Sequence, residues 1–147
     1  MTHPVPSAMV RLHQLVRAQV ESKTTRVDLG PVAEFDEPDA VAIGLATQTP
    51  EAVPGQVIAA GMGSDRYSFD LICSAQSADG DEDLPARMDR VFALVDVVRG
   101  VLPALADAVD DVWGAQMSRE SFAWVETQQG LGAFVEFAVR IEANRPL

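Results

Sequence analysis

Apolar residues recur at three- and four-residue spacing at the start of the chain. Val5, Ala8, Met9, Leu12, Leu15, Val16 and Val20 make one stripe, which predicts an amphipathic helix over residues 5–20. Pro6 falls in its first turn, where a missing N–H costs little. Residues 21–25 are polar and end the stripe. Residues 26–29 alternate and stop at Gly30-Pro31, predicting a short strand. Residues 40–45 are a second short apolar run, read as a buried strand. Residues 47–64 hold Pro50, Pro54, Gly55, Gly61 and Gly63 without a sustained period, and read as a long loop. Residues 66–75 alternate again. Tyr67, Phe69, Leu71 and Cys73 share one face of the predicted strand; Arg66, Ser68, Asp70, Ile72 and Ser74 share the other.

The second half opens on a polar, acidic turn over residues 76–83. A helix is predicted from Leu84 to Arg99, with Leu84, Met88, Val91, Phe92, Val95 and Val98 as its stripe and Gly100 as its stop. A short second helix is expected from Pro103 to Val109, with Leu102, Leu105, Ala106 and Val109 on one face. Residues 112–126 and 131–143 read as two long strands joined by the turn Thr127-Gln128-Gln129-Gly130. In the last strand Val135, Phe137, Val139 and Ile141 face inward, while Glu136, Arg140 and Glu142 face out. The polar stretch 117–121 leaves the preceding strand either an edge or a loop. The expected fold class is α+β, in one domain spanning 1–147: a mostly antiparallel or mixed sheet packed by an N-terminal helix and a central amphipathic helix pair.

Composition narrows the functions open to such a domain. Of 147 residues, 22 are Asp or Glu and 11 are Lys or Arg, a formal net charge of −11. Nucleic acid and anionic membrane are held mainly by Lys and Arg, so neither is an expected ligand. The single cysteine, Cys73, excludes an internal disulfide and a cysteine-based zinc site. Two histidines, His3 and His13, are too few for a His-rich metal site. No apolar run approaches the roughly 20 residues of a membrane-spanning helix, and the first residues lack a signal-peptide pattern. The expectation is a soluble protein made in the cytoplasm.

The candidate chemistry is sparse. Asp79, Asp81 and Asp83 have the 1-3-5 spacing of a calcium loop, but Leu84 stands at the sharp-turn glycine position and Arg90 at the bidentate glutamate position. These carboxylates read instead as a solvated turn complementing the N-terminal dipole of the next helix. Gly61-Met62-Gly63 is half of a dinucleotide fingerprint, and it precedes a strand where the fingerprint opens a helix. His13 flanks the first stripe and reads as a structural histidine. Cys73 reads as a buried inert thiol. Asp107, Asp110 and Asp111 follow the helical region with no partner acid or histidine at fixed spacing. Trp113, Phe122 and Trp124 alternate with polar residues, and Phe122 and Trp124 share a face, as core or interface aromatics do. No catalytic residue and no cofactor or metal ligand is assigned.

The chain from about residue 40 to 143 resembles the tail terminator, or tail completion, proteins of long-tailed phages, particularly those of actinobacterial hosts. The resemblance runs through Gly61-Met62-Gly63 and Arg66-Tyr67-Ser68-Phe69-Asp70-Leu71-Ile72-Cys73, the turn Ser77-Ala78-Asp79-Gly80-Asp81, then Arg87 and the helix to Arg99. It closes on Gln128-Gln129-Gly130 and the last strand. The resemblance implies a small α/β sandwich and a virion component without enzymatic activity. Such a protein is made in the host cytoplasm and resides in the phage tail. It caps the tail tube as a ring of six copies, stops tube polymerisation and docks the head–tail connector. Its implied partners are itself, the tail-tube protein and the connector or neck protein, with DNA passing through the lumen. On this reading Pro50, Pro54, Gln56, Met62 and Arg66 are candidates for the subunit or tube contact. Asp79, Asp81, Asp83, Asp107, Asp110 and Asp111 are candidates for an acidic lumen that repels passing DNA. Two other readings stand beside it: an acidic inhibitor or immunity protein that binds a basic partner, or another head–tail neck protein. An enzyme ranks third.

Overall fold

The computed structural model describes residues 4–20, 25–30, 38–44, 60–61, 66–80, 83–127 and 130–144. They form two helices and a mixed sheet. Along the chain come α1 (Pro4–Val20), β1 (Thr25–Leu29), β2 (Asp39–Ile43), β3 (Ala60–Gly61), β4 (Arg66–Ser77), α2 (Leu84–Ala108), β5 (Val112–Thr127) and β6 (Gly130–Asn144). Five strands lie in the order β1-β2-β4-β6-β5, and the two-residue β3 pairs with the start of β4. β1 and β2 are parallel; the other pairs are antiparallel. The chain leaves β4, runs through α2 and returns as β5, with β6 inserted between the two strands. This is a split β-α-β unit.

The period-two residues of the central strands fill the core. Phe69, Leu71, Cys73 and Ala75 of β4 lie opposite Ile141, Val139, Phe137 and Val135 of β6, and all eight are buried. Val41 and Ile43 of β2 and Val27 of β1 extend this layer. From above it is covered by Ala8, Leu12 and Val16 of α1 and by Val91, Leu94, Val95, Val98, Leu102 and Leu105 of α2. The stripes that the spacing picks out are therefore the faces that pack. The second face of the sheet carries ion pairs, Asp70 with Arg140 and Arg119 with Glu136. Among them the small or apolar Ala40, Ala42, Ile72, Ser74 and Ala138 are buried.

Two expectations need correction. Helix α2 does not stop at Gly100 and restart at Pro103; it runs unbroken to Ala108. Its buried positions 91, 94, 95, 98, 102 and 105 keep one phase across the junction, and that shared burial outweighs the hydrogen bond Pro103 cannot donate. Gly100 and Pro103 both lie on the exposed side. A Cβ at Gly100 would meet nothing within 4 Å. Gly100→Ala is thus expected to raise the unfolding free energy by about 0.5–1 kcal/mol, read as a higher urea midpoint. The second correction concerns the long loop: Ala60 and Gly61 pair with Ser68 and Tyr67 as a strand. The rest of residues 47–64 lies outside the described residues.

The stretch 117–121 resolves as edge strand. β5 stays paired with β6 along its length, with register shifts at Val112/Gly114 and Met117/Arg119. Ser118 is the bulged residue of the second, and its hydroxyl donates to the Ala138 carbonyl at 3.2 Å. After α2, Asp111 takes a left-handed φ of 67° and its carbonyl accepts from Asn144 N at 2.7 Å. Aspartate tolerates that conformation better than most side chains.

Candidate functional site

Three places gather polar or exposed aromatic groups. The first is a corner where β1, β2, β4 and α2 meet. Asp39, at the start of β2, is only 5% exposed. Its Oδ1 accepts from the Ser77 hydroxyl at 2.6 Å and its Oδ2 from Arg90 Nε at 2.7 Å. Arg90 also donates to Thr25 Oγ1 at 3.0 Å, and Arg87 Nη1 donates to Ser77 Oγ at 2.9 Å. Arg87 and Arg90 sit one turn apart on α2, so both reach the sheet from the same helix side. Both carboxylate oxygens are engaged by donors. The arrangement clamps four elements together. Sequence reading gave Asp39 and Thr25 no role, and met Ser77 only as part of a turn and Arg90 only as a mismatch to a calcium loop. The available signal was an aspartate opening an otherwise apolar five-residue strand, with two arginines spaced for one helix face.

The second place is the outer strand. β5 ends the sheet, and among the described residues no strand pairs with its free side. Glu120, Phe122 and Trp124 lie on the helix side of the sheet, opposite Phe137, Val135 and Ala133. Phe122 stacks on Phe92 of α2 with centroids 5.7 Å apart, and Trp124 meets Phe122 edge-on at 4.9 Å. Yet Phe122 and Trp124 remain 37% and 43% exposed. Glu120 pairs with Arg99 of α2, which also holds Asp96. The shared face read for Phe122 and Trp124 is present, and it forms an exposed shelf. The opposite sheet edge is different. There His13 of α1 places Nε2 3.2 Å from the Val27 carbonyl of β1, so α1 backs that edge, and the histidine is structural.

The third place is an open cleft of about 670 Å³ between α1 and the turn after α2, lined by Pro6, Val10 and Arg11 on one side and Val109, Asp110 and Asp111 on the other. Asp107, Asp110 and Asp111 are all exposed. Asp79 is exposed beside the other end of α2, and Asp83 caps that helix by accepting from Ala86 N at 3.2 Å. The dipole-complementing role read for the acidic turn therefore falls on Asp83. The two acidic groups sit at opposite ends of a 25-residue helix, about 37 Å apart at 1.5 Å per residue. Asp81, Pro50, Pro54, Gln56 and Met62 lie outside the described residues. Arg66 opens β4 opposite Asn144. Gly61 lies in β3, paired with Tyr67, and Gly63 lies outside the described residues.

Cys73 is buried among Phe69, Leu71 and Phe137, and burial pushes its thiol up to about 12. It is expected to resist thiol reagents until the chain unfolds. The unfolded thiol ionises near pH 9, the folded one near 12, so the folded state holds the proton between them and stability falls as pH rises through that window. Urea midpoints at pH 8 and pH 10, for the protein and for Cys73→Ala, check this; the extra loss at high pH vanishes in the variant. No helix of the described residues is long and apolar enough to cross a membrane. No protein-family model matches the chain, and no curated protein matches it significantly.

Proposed function

We propose that the chain is a non-enzymatic assembly protein of a phage tail, of the terminator kind, acting as a ring of six copies between the tail tube and the head connector. The observation that carries this reading is the sidedness of the sheet. One edge is backed by α1 through His13, and the other is a sixteen-residue strand, unpaired on its outer side among the described residues, with an aromatic shelf. A piece that closes into a ring by heterologous contacts, and joins two unlike partners, needs unlike surfaces on its sides. The segments that carry the resemblance support it too: their described residues fall on β3, β4, α2 and β6, and the last three belong to one split β-α-β unit, while the polar stretch 117–121 of β5 departs from the family pattern. On this reading the exposed Asp79 near one end of α2 and Asp107, Asp110 and Asp111 near the other contribute to an acidic lumen that repels passing DNA.

The test is sedimentation with tubes polymerised from the tail-tube protein of the same genome. The chain is expected to cosediment at saturation set by the number of tube ends, independent of tube length. Absence from the pellet, or saturation growing with tube length, contradicts the proposal. The inhibitor reading draws on the net charge of −11 and predicts one-to-one binding to a cationic enzyme that fades steeply with salt.

A further inference from the structure

We propose that the edge of β5 that is unpaired among the described residues receives an extended, cationic segment of a partner protein, which adds to the sheet as a further strand. The inference rests on the edge alone and holds for the terminator and the inhibitor readings alike. Two residues separate Thr127 from its partner Gly130, so that pair turns its backbone groups toward each other. Alternating from it, Glu126, Trp124, Phe122 and Glu120 turn their N–H and C=O groups to the free side. The same residues carry their side chains on the helix side, where Phe92, Phe122 and Trp124 make a half-exposed shelf. A strand laid along this edge gains main-chain hydrogen bonds and covers the shelf with every second side chain.

Charge decides what kind of strand fits. The shelf is rimmed by Glu120 and Glu126 on β5 and by Asp96 on α2, with Asp89 three residues before Phe92 on the same side of the helix. Among the described residues Arg99 is the cation there, and it is already shared by Asp96 and Glu120. Four carboxylates against one guanidinium leave the rim net negative. A strand that brings carboxylates to the shelf side is repelled by that rim. Lysine or arginine side chains instead find carboxylates at the rim and the faces of Trp124 and Phe122 beneath them.

The probe is a short peptide alternating lysine and valine, titrated into the full chain carrying Trp113→Phe so that Trp124 reports alone. Saturable change in Trp124 emission is expected. Methylating alternate amide nitrogens of the peptide is expected to weaken binding about tenfold or more, because it blocks the ladder without altering the protein. Glu120→Gln with Asp96→Asn is expected to weaken it severalfold and flatten its salt dependence. Three results overturn the proposal: no binding of the lysine–valine peptide, equal binding of a glutamate–valine peptide, or indifference to methylation of either alternate set of amides. A fourth is a stable dimer in light scattering that Phe122→Ser dissolves, which would make a second copy the occupant.

Discussion

Asp39→Ala is expected to lower the unfolding free energy by about 3 kcal/mol, read from the urea midpoint. Removing one partner of a buried pair leaves the others with uncompensated polar groups, and such losses run to roughly 3–5 kcal/mol. Here the lower end applies, because Arg90 is 41% exposed and water takes up part of its donors. Arg87, at 14%, and the buried Ser77 and Thr25 hydroxyls have less access to water. The comparison is Asp96→Ala, which removes an exposed ion pair with Arg99 and is expected to change stability by less than about 1 kcal/mol. Equal effects of the two substitutions would show that the corner does not clamp the fold.

Gly132→Ala is the second large effect, with an expected loss of about 3 kcal/mol or more. A Cβ there would lie 2.4 Å from the Ser77 carbonyl oxygen and 2.6 Å from Ala78 Cβ. Neither atom sits at the end of a flexible side chain, so relief requires β4 or β6 to shift. Ser77 also holds Asp39, and a shift there pulls on the buried network. The φ of Gly132 is not in the left-handed region, so the cost is contact and not backbone conformation. Alanine at Gly100 and at Gly132 therefore acts in opposite directions, for one glycine faces open space and the other a carbonyl. A neutral Gly132→Ala would contradict the close approach of β6 to the end of β4.

The elements were legible wherever one face is buried. Alternation placed β4 and β6 and assigned their faces, because the pairing of Phe69, Leu71 and Cys73 with Ile141, Val139 and Phe137 gives both strands one buried side. The stripe of α1 was legible for the same reason. The break at Gly100 was misread because local propensity there opposes the helix, while the burial of Val98, Leu102 and Leu105 holds it together. The β5–β6 pairing was legible from its turn, but the other partners were not: nothing in the spacing says that β1 runs parallel to β2, or that β6 sits between β4 and β5. Asp39 escaped notice because its partners lie far along the chain, and only folding brings Thr25, Ser77, Arg87 and Arg90 to it. The shared face of Phe122 and Trp124 was readable from spacing, but their exposure was not. It depends on β5 being the last strand of the sheet.

The central claim is that this chain ends tail tubes. Co-expression with the tail-tube protein of the same genome, imaged by negative stain, tests it most directly. The account predicts short tubes of uniform length that carry a blunt cap at one end. Tubes of unchanged, unlimited length with bare ends would contradict it.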